Sequence, residues 1–260
     1  SFPTDDGRAR FVLVRHQPTA EPPNAAYPLS RRSGRLRDQW HGMSRTGLVP
    51  RLFNLDDEPL LAMHPCDMRH RQLSDGDLVR LLNARGEIVV RVGAHSGIPR
   101  GRLWLPMHWG GRYMTGAGVN ALVGDAVDPY SQQPELKHTA VEVIKTKLNY
   151  PLAAIRRCEN VAEALRVMNS ARMLLAEFPY ASLTLYGRDS PLVVFRAATL
   201  ASLSLSVLER VDDCFGLAGD VGEAKLIVFT DTRRAITKKA ISRAGKLFAV
   251  RLAGEVSAIS

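Results

Sequence analysis

Residues 1–148 predict a β-barrel and residues 149–260 a smaller α+β unit, so the fold class is mainly β plus α+β. Two observations point to the barrel. Short apolar runs recur through the first part, and clusters of Gly, Pro, Asn and Asp interrupt them roughly every eight to twelve residues. A third observation separates the second part. From Arg156 the hydrophobic period becomes helical, through Val161, Leu165, Met168, Ala171, Met173, Leu174 and Leu175.

Phe11-Val12-Leu13-Val14 is a short apolar run between charged residues and Pro18, and reads as a buried strand. Pro18, Pro22, Pro23 and Pro28 make residues 17–28 a loop, since each removes a donor and fixes φ. Tyr27 to Ser30 begins a strand that ends at a loop rich in glycine and arginine. Pro59 to His64 is the next strand. His64-Pro65 then opens a short helix through Arg71, because proline fits a first helical turn. Residues 73–92 read as strand, turn, strand, with turn signals at Ser74–Asp77 and Ala84–Glu87. Ile98–Gly101 is turn-like, and the strand from Leu103 stops at Pro106. Met107-His108-Trp109-Gly110 leads into a glycine-rich passage, Gly110–Gly118, that places Tyr113 near a ligand mouth; His108 and Trp109 read equally well as core packing.

Lys147 to Pro151 marks a boundary. Beyond it the pattern predicts a helix from Asn160 to Phe178, then a hairpin of 182–186 with 193–195 across Gly187–Ser190. A second helix covers 202–212. A three-stranded meander closes the chain, at 225–230, 235–241 and 246–252, with turns at Asp231–Arg234 and Ser242–Gly245.

The formal charge of +9 on 260 residues implies an anionic partner. The basic residues spread over the whole chain and no nucleic-acid-binding motif appears, which argues against nucleic acid. No apolar run approaches the roughly eighteen residues of a membrane span. Cys66, Cys158 and Cys214 lie far apart and form no iron–sulfur or zinc pattern. Such sparse cysteine fits a reducing, cytoplasmic setting, each thiol acting as a small buried hydrophobe. The seven histidines show no metal-binding spacing.

The densest stretch is Arg31 to Pro50, RRSGRLRDQWHGMSRTGLVP. Gly34, Gly42 and Gly47 permit close backbone approach and positive φ. Arg31, Arg32, Arg35, Arg37 and Arg45 offer guanidinium forks for phosphate oxygens, and Ser33, Ser44 and Thr46 add hydroxyls. Trp40 and His41 can stack or hydrogen-bond. This set suits a pyrophosphate or nucleotide. It also suits a solvated basic loop around one buried Trp.

SGRLRDQWHGMSRTG, Ser33 to Gly47, resembles the signature of molybdopterin oxidoreductases in their C-terminal dinucleotide-binding domain. The Arg37–His41 and Met43–Gly47 portions most resemble assimilatory nitrate reductase catalytic subunits. LWLPMHWG, Leu103 to Gly110, and VNALVGDAVDPYSQQPELKHTAVEV, Val119 to Val143, agree and stand in the family's order. The resemblance implies a six-stranded double-psi barrel like that of aspartate decarboxylase. It implies a molybdenum bis-molybdopterin guanine dinucleotide cofactor and, in the whole enzyme, reduction of nitrate to nitrite. Ser33, Gly34, Arg35, Leu36, Arg37, Asp38, Trp40, His41 and His108 become candidate cofactor contacts. In related periplasmic nitrate reductases an Asn and a Lys at the separation of Asn120 and Lys137 bind the cofactor. Asp128-Pro129 and Ser131 between them also match. Ser44 and Arg45 become candidates for approaching the metal or attracting nitrate.

The resemblance also makes the chain look excised from a longer protein, SFPTDDGRARF resembling the entry into the last domain. The family's cluster-binding Cys motif, its metal-ligating residue and its Cys-rich iron–sulfur module have no counterpart here. The chain is therefore expected to be inactive and cofactor-free alone, with any iron–sulfur cluster elsewhere in the subunit. Expected partners are the remaining domains of the subunit, nitrate, and an electron donor such as ferredoxin, flavodoxin or an NADH-linked subunit. The final stretch resembles the C-terminal extension of assimilatory nitrate reductases and, faintly, strands of flavin-dependent nitrite reductases. Its basic patch, Arg233, Arg234, Lys238 and Lys239, reads as a solvated hairpin face or as a docking surface. A formate dehydrogenase α subunit and a non-catalytic anion-binding barrel are the alternatives.

Overall fold

The computed structural model describes residues 2–254 except 12, 14, 54, 55, 188, 189, 219–221 and 223. Six strands close a barrel: β1 (Leu29–Gly34), β2 (Leu60–Met63), β3 (Leu78–Asn83), β4 (Gly86–Ala94), β5 (Arg102–Pro106) and β6 (His138–Lys145). Their order is β1-β5-β2-β4-β3-β6. Closure leaves no sheet edge to pair wrongly. Two neighbouring pairs, β1 with β5 and β2 with β4, are parallel, and the rest are antiparallel. Parallel neighbours need long crossover connections, and these carry the glycine- and arginine-rich loop and helix α1 (Pro65–His70). Alternate residues point inward, so Val79, Leu81, Ile88, Val90, Val92, Leu103, Leu105, Val141 and Val143 form the barrel core.

A second, six-stranded sheet follows, in the order β10-β11-β12-β7-β9-β8. Its strands are β7 (Tyr150–Arg157), β8 (Tyr180–Tyr186), β9 (Leu192–Thr199), β10 (Lys225–Asp231), β11 (Ile236–Arg243) and β12 (Lys246–Ala253). Helices α2 (Val161–Ala171) and α3 (Leu205–Phe215) pack on it. Asn160 caps α2 by accepting from the Glu163 N–H at 2.9 Å. The left-handed Gly216 ends α3. The helix expected through Phe178 leaves α geometry at Arg172 and continues as a 3-10 turn, Arg172–Glu177.

Phe11 and Leu13 are exposed and lie outside any strand, which corrects the expected strand there; Val12 and Val14 lie outside the described residues. The strand expected to end at Ser30 runs on to Gly34, so the arginine-rich loop begins later than the sequence suggests. Two strands had no sequence signal. β6 is buried on both faces at its start, and β7 lies between β12 and β9, so neither alternates cleanly. Among the described residues no helix is long and apolar enough to cross a membrane.

One hydrophobic cluster runs through both sheets. Backbone bonds from Leu183 N–H to Tyr113 O, 2.8 Å, and from Thr115 N–H to Ala181 O, 3.0 Å, lay the glycine-rich passage along β8. The buried Tyr180 hydroxyl donates to Glu58 Oε2 at 2.5 Å, and Arg91 grips the same carboxylate at 2.8 Å. Burial pushes the Tyr180 phenol well above its ordinary pKa, so it stays a donor. Arg196 pairs with Asp57 at 2.5 Å. Tyr180→Phe removes one charge-assisted bond while Arg91 still neutralises Glu58. Urea denaturation should show a loss of about 1–3 kcal/mol; an unchanged midpoint would mean that this contact does not hold the sheet to the barrel.

Candidate functional site

Strand directions bring the candidate residues to one end of the barrel. β1 and β5 are parallel, with Gly34 opposite Pro106, so their C-terminal ends lie side by side. β6 runs against β1, with Arg32 opposite His138, and so starts at that same end. The loop after β1 thus emerges beside His108, which follows β5, and beside Lys137, which precedes β6. Ser33 Oγ ties this loop's base to the Leu136 carbonyl at 2.7 Å. Asn120 sits in a 3-10 turn, Val119–Leu122, hung from the barrel by its carbonyls. Arg31 Nη1 donates to Val119 O at 2.9 Å, and Asn83 Nδ2 to Leu122 O at 2.8 Å. Arg85 reaches Leu122 O through both Nε and Nη2, and clasps Glu21 at 2.6 Å.

The loop itself contains two left-handed residues that are not glycine, His41 with φ 44° and Met43 with φ 57°. Such conformations are strained. Each is held through its own carbonyl by a buried side chain. His108 Nδ1–H donates to His41 O at 2.5 Å, and Tyr113 O–H donates to Met43 O at 2.7 Å. His108 Nε2 accepts from the Leu36 N–H at 2.9 Å. These partners require the neutral imidazole, because a proton on Nε2 would face the Leu36 N–H. Burial pushes the His108 pKa down, the His41 carbonyl opposes that, and the positive charge of Arg35 adds to the lowering. Burial raises the Tyr113 phenol.

The glycines act differently from their sequence reading. Gly34, Gly42 and Gly47 are none of them at positive φ. A Cβ on Gly47 would come within 2.2 Å of the Tyr113 hydroxyl oxygen, and one on Gly34 within 2.7 Å of Trp104 Nε1. These two positions are small to admit a packed side chain. Only Gly42 of the three faces open space.

Arg35, Arg37, Trp40, His41, Ser44 and Arg45 are exposed, as are Asn120 and Lys137. Trp40, read as a candidate buried residue, is 54% exposed and stands edge-on to His41 at 4.5 Å. Arg37 pairs with Asp38 at 3.0 Å. Leu36 is buried and anchors the loop. Two expectations change. Arg31 is wholly buried, so it is no surface fork; burial pushes its pKa down to about 10. Tyr113 is wholly buried too, a support for the loop and not a residue at a ligand mouth. His108 has both ring nitrogens occupied by backbone. Sequence reasoning missed Arg31, Asn83, Arg85 and Tyr113 as supports, because each holds a carbonyl far away in sequence. Among the described residues, no group of three His, Cys, Asp or Glu could hold a metal ion.

The closed barrel thus presents a braced loop with cationic, aromatic and amide side chains at one end. Residues 30–140 match the family model described as the Molydopterin dinucleotide binding domain. A nitrate reductase from Klebsiella oxytoca is 43% identical over 138 residues, which cover 53% of this chain and 16% of that protein. The chain therefore spans only a small part of that relative's length. Acetylene hydratase from Pelobacter acetylenicus matches in structure with a TM-score of 0.40 and 17% identity, over 46% of this chain and 18% of that one. Residues 30–140 thus match a molybdopterin dinucleotide-binding domain, of the kind found in a nitrate reductase-like protein.

The His108 clamp has a pH signature. A base whose folded pKa lies below its unfolded value takes up its proton first in the unfolded state. Its stabilising effect is complete above 6.5, the ordinary value. It is lost as pH falls from there towards the lowered folded pKa. Urea midpoints taken between about pH 7.5 and about pH 5 should fall more steeply in the wild type than in His108→Gln. Parallel curves would show that the imidazole is not held neutral.

Proposed function

We propose that this chain is the C-terminal part of an assimilatory nitrate reductase catalytic subunit. Its barrel, residues 1–148, holds molybdopterin guanine dinucleotide, and residues 149–260 form an α+β extension. The observation that carries this reading is the braced loop 35–47, whose backbone is pinned from beneath while its donors stay exposed. The donor set fits the ligand. Arg35 and Arg37 suit a doubly charged pyrophosphate, and Trp40 and His41 suit a flat pterin. Asn120 offers both donor and acceptor to a guanine or pterin edge, and Lys137 a mobile charge. Ser33, Gly34, Leu36, Asp38 and His108 contribute by fixing the loop's path; His108 does so with no ring nitrogen left for the ligand. Ser44 and Arg45 lie farther along the loop and would draw nitrate towards the centre.

When bound, the molybdenum cofactor would supply the two-electron reduction of nitrate to nitrite. This chain's residues would hold and orient it. A second dinucleotide and any iron–sulfur cluster would be held by parts of the subunit outside residues 1–260. The isolated chain would then be inactive and cofactor-free. The reading also implies a cytoplasmic enzyme, fed by ferredoxin, flavodoxin or an NADH-linked subunit.

The test is molybdenum and guanine content of the full-length subunit, wild type against Asn120→Ala with Lys137→Ala. Losing a polar and a charged contact should lower cofactor content about tenfold or more. Full retention with an intact fold would remove these two residues from the site.

A further inference from the structure

Arg172 opens the 3-10 turn that follows α2, where the second sheet meets the glycine-rich passage. Its Nη1 donates to Asn169 Oδ1 at 2.5 Å. Its Nε and Nη2 are buried and have no hydrogen-bond partner among the described residues. These two atoms form the edge with which arginine grips two oxygens at once. The guanidinium carbon stands 6.0 Å from the centre of the Tyr113 ring, a cation–π approach that orients the fork without using its donors.

Arg112, next to Tyr113 in the chain, is exposed, and its positive charge acts on both the Tyr113 phenol and Arg172. Neither arginine has a carboxylate partner among the described residues. Burial pushes the Arg172 pKa down, and repulsion from the charge of Arg112 adds to the lowering. Buried donors without partners are uncommon and call for an occupant. Water could satisfy the two N–H groups, but it would leave the doubled positive charge uncompensated. An anion with two oxygens on one centre answers both needs. Arg172 is half-buried as a whole, while its Nε and Nη2 are buried.

We propose that the orphaned fork of Arg172, beside the Tyr113 ring, forms with the nearby charge of Arg112 a binding site for a small oxyanion, the class to which nitrate, phosphate and free carboxylates belong. The site joins the two sheets, with Arg172 supplied from beyond α2 and Arg112 from the passage after β5. It lies one side chain from the 35–47 loop, because the Tyr113 hydroxyl is what holds Met43. The site does not rest on the dinucleotide reading; anion affinity reports on it, and cofactor content of the full-length subunit reports on the other.

The test follows the side-chain Nε–H resonances of arginine in the isotopically labelled chain. Nitrate and phosphate are titrated in turn against chloride at constant ionic strength. The Arg172 signal, assigned by its loss in Arg172→Lys, should shift saturably with either oxyanion and weakly with chloride. Arg172→Lys keeps the charge and loses the fork, so oxyanion affinity, read from neighbouring amide resonances, should fall about tenfold. Arg112→Gln should also weaken binding. Unsaturable shifts, equal shifts in chloride, or wild-type affinity in Arg172→Lys would overturn the site. Should Arg112→Gln fail to fold, the lysine variant still decides, because it preserves charge and length.

Discussion

The loop that leaves the barrel after β1 depends on two left-handed residues being held in place. His41 and Met43 each carry strain on the order of 1–3 kcal/mol. A hydrogen bond offsets only about 1 kcal/mol net. The bonds from His108 and Tyr113 are therefore too weak alone. Burial of Met43 and Leu36 supplies the rest, since a buried side chain of this size contributes roughly 1.5–3 kcal/mol. The result turns two carbonyls inward and leaves Trp40, His41, Ser44 and Arg45 facing out. A loop fixed before its ligand arrives loses less entropy on binding.

The support reaches beyond the barrel. Tyr113 bonds Met43 through its hydroxyl and Leu183 of β8 through its backbone carbonyl. Thr115 Oγ1 caps the Leu175 and Phe178 carbonyls at the end of the 3-10 turn. The glycine-rich passage is thus gripped on one side by the loop and on the other by the second sheet. Gly118, at φ 77°, explains part of its glycine content, because a Cβ there would meet the Trp109 carbonyl at 2.4 Å. The glycines of this passage serve close backbone packing as much as mobility. The second sheet is part of the frame that positions the loop.

Turn chemistry made β3, β4, β5 and the final meander legible, because Ser74–Asp77, Ala84–Glu87 and Ser242–Gly245 announce themselves locally. β6 and β7 stayed hidden, since pairing with distant strands determines both. The Phe11 run misled for the opposite reason, four apolar residues being a strand only if something pairs with them. In the loop, the motif that defines the binding domain was legible. The division between residues that face outward and those that brace the backbone was not. Gly34 and Gly47 are small because of Trp104 and Tyr113, which lie 70 and 66 positions away, and no local pattern encodes that.

The same distinction applies to charge. The +9 total invites the view that the chain is a general trap for anions. Much of that charge is already committed. Arg85 holds Glu21 and a carbonyl, Arg91 holds Glu58, Arg196 holds Asp57, and Arg251 with Lys239 surrounds Asp212. Arg31, like the fork of Arg172, is different. Among the described residues it meets the Val119 carbonyl and no carboxylate, and a buried charge without a counter-charge costs several kcal/mol, on the order of 3–5. That cost falls next to Asn120, at the barrel end where Arg35, Arg37 and Arg45 are also exposed. Of these guanidiniums Arg31 is the one enclosed by the barrel, so salt screens its field least, while it screens the exposed arginines as it does the surface lysines. Part of the positive charge at this end is therefore fixed by the barrel's own packing and is not merely a share of the net charge.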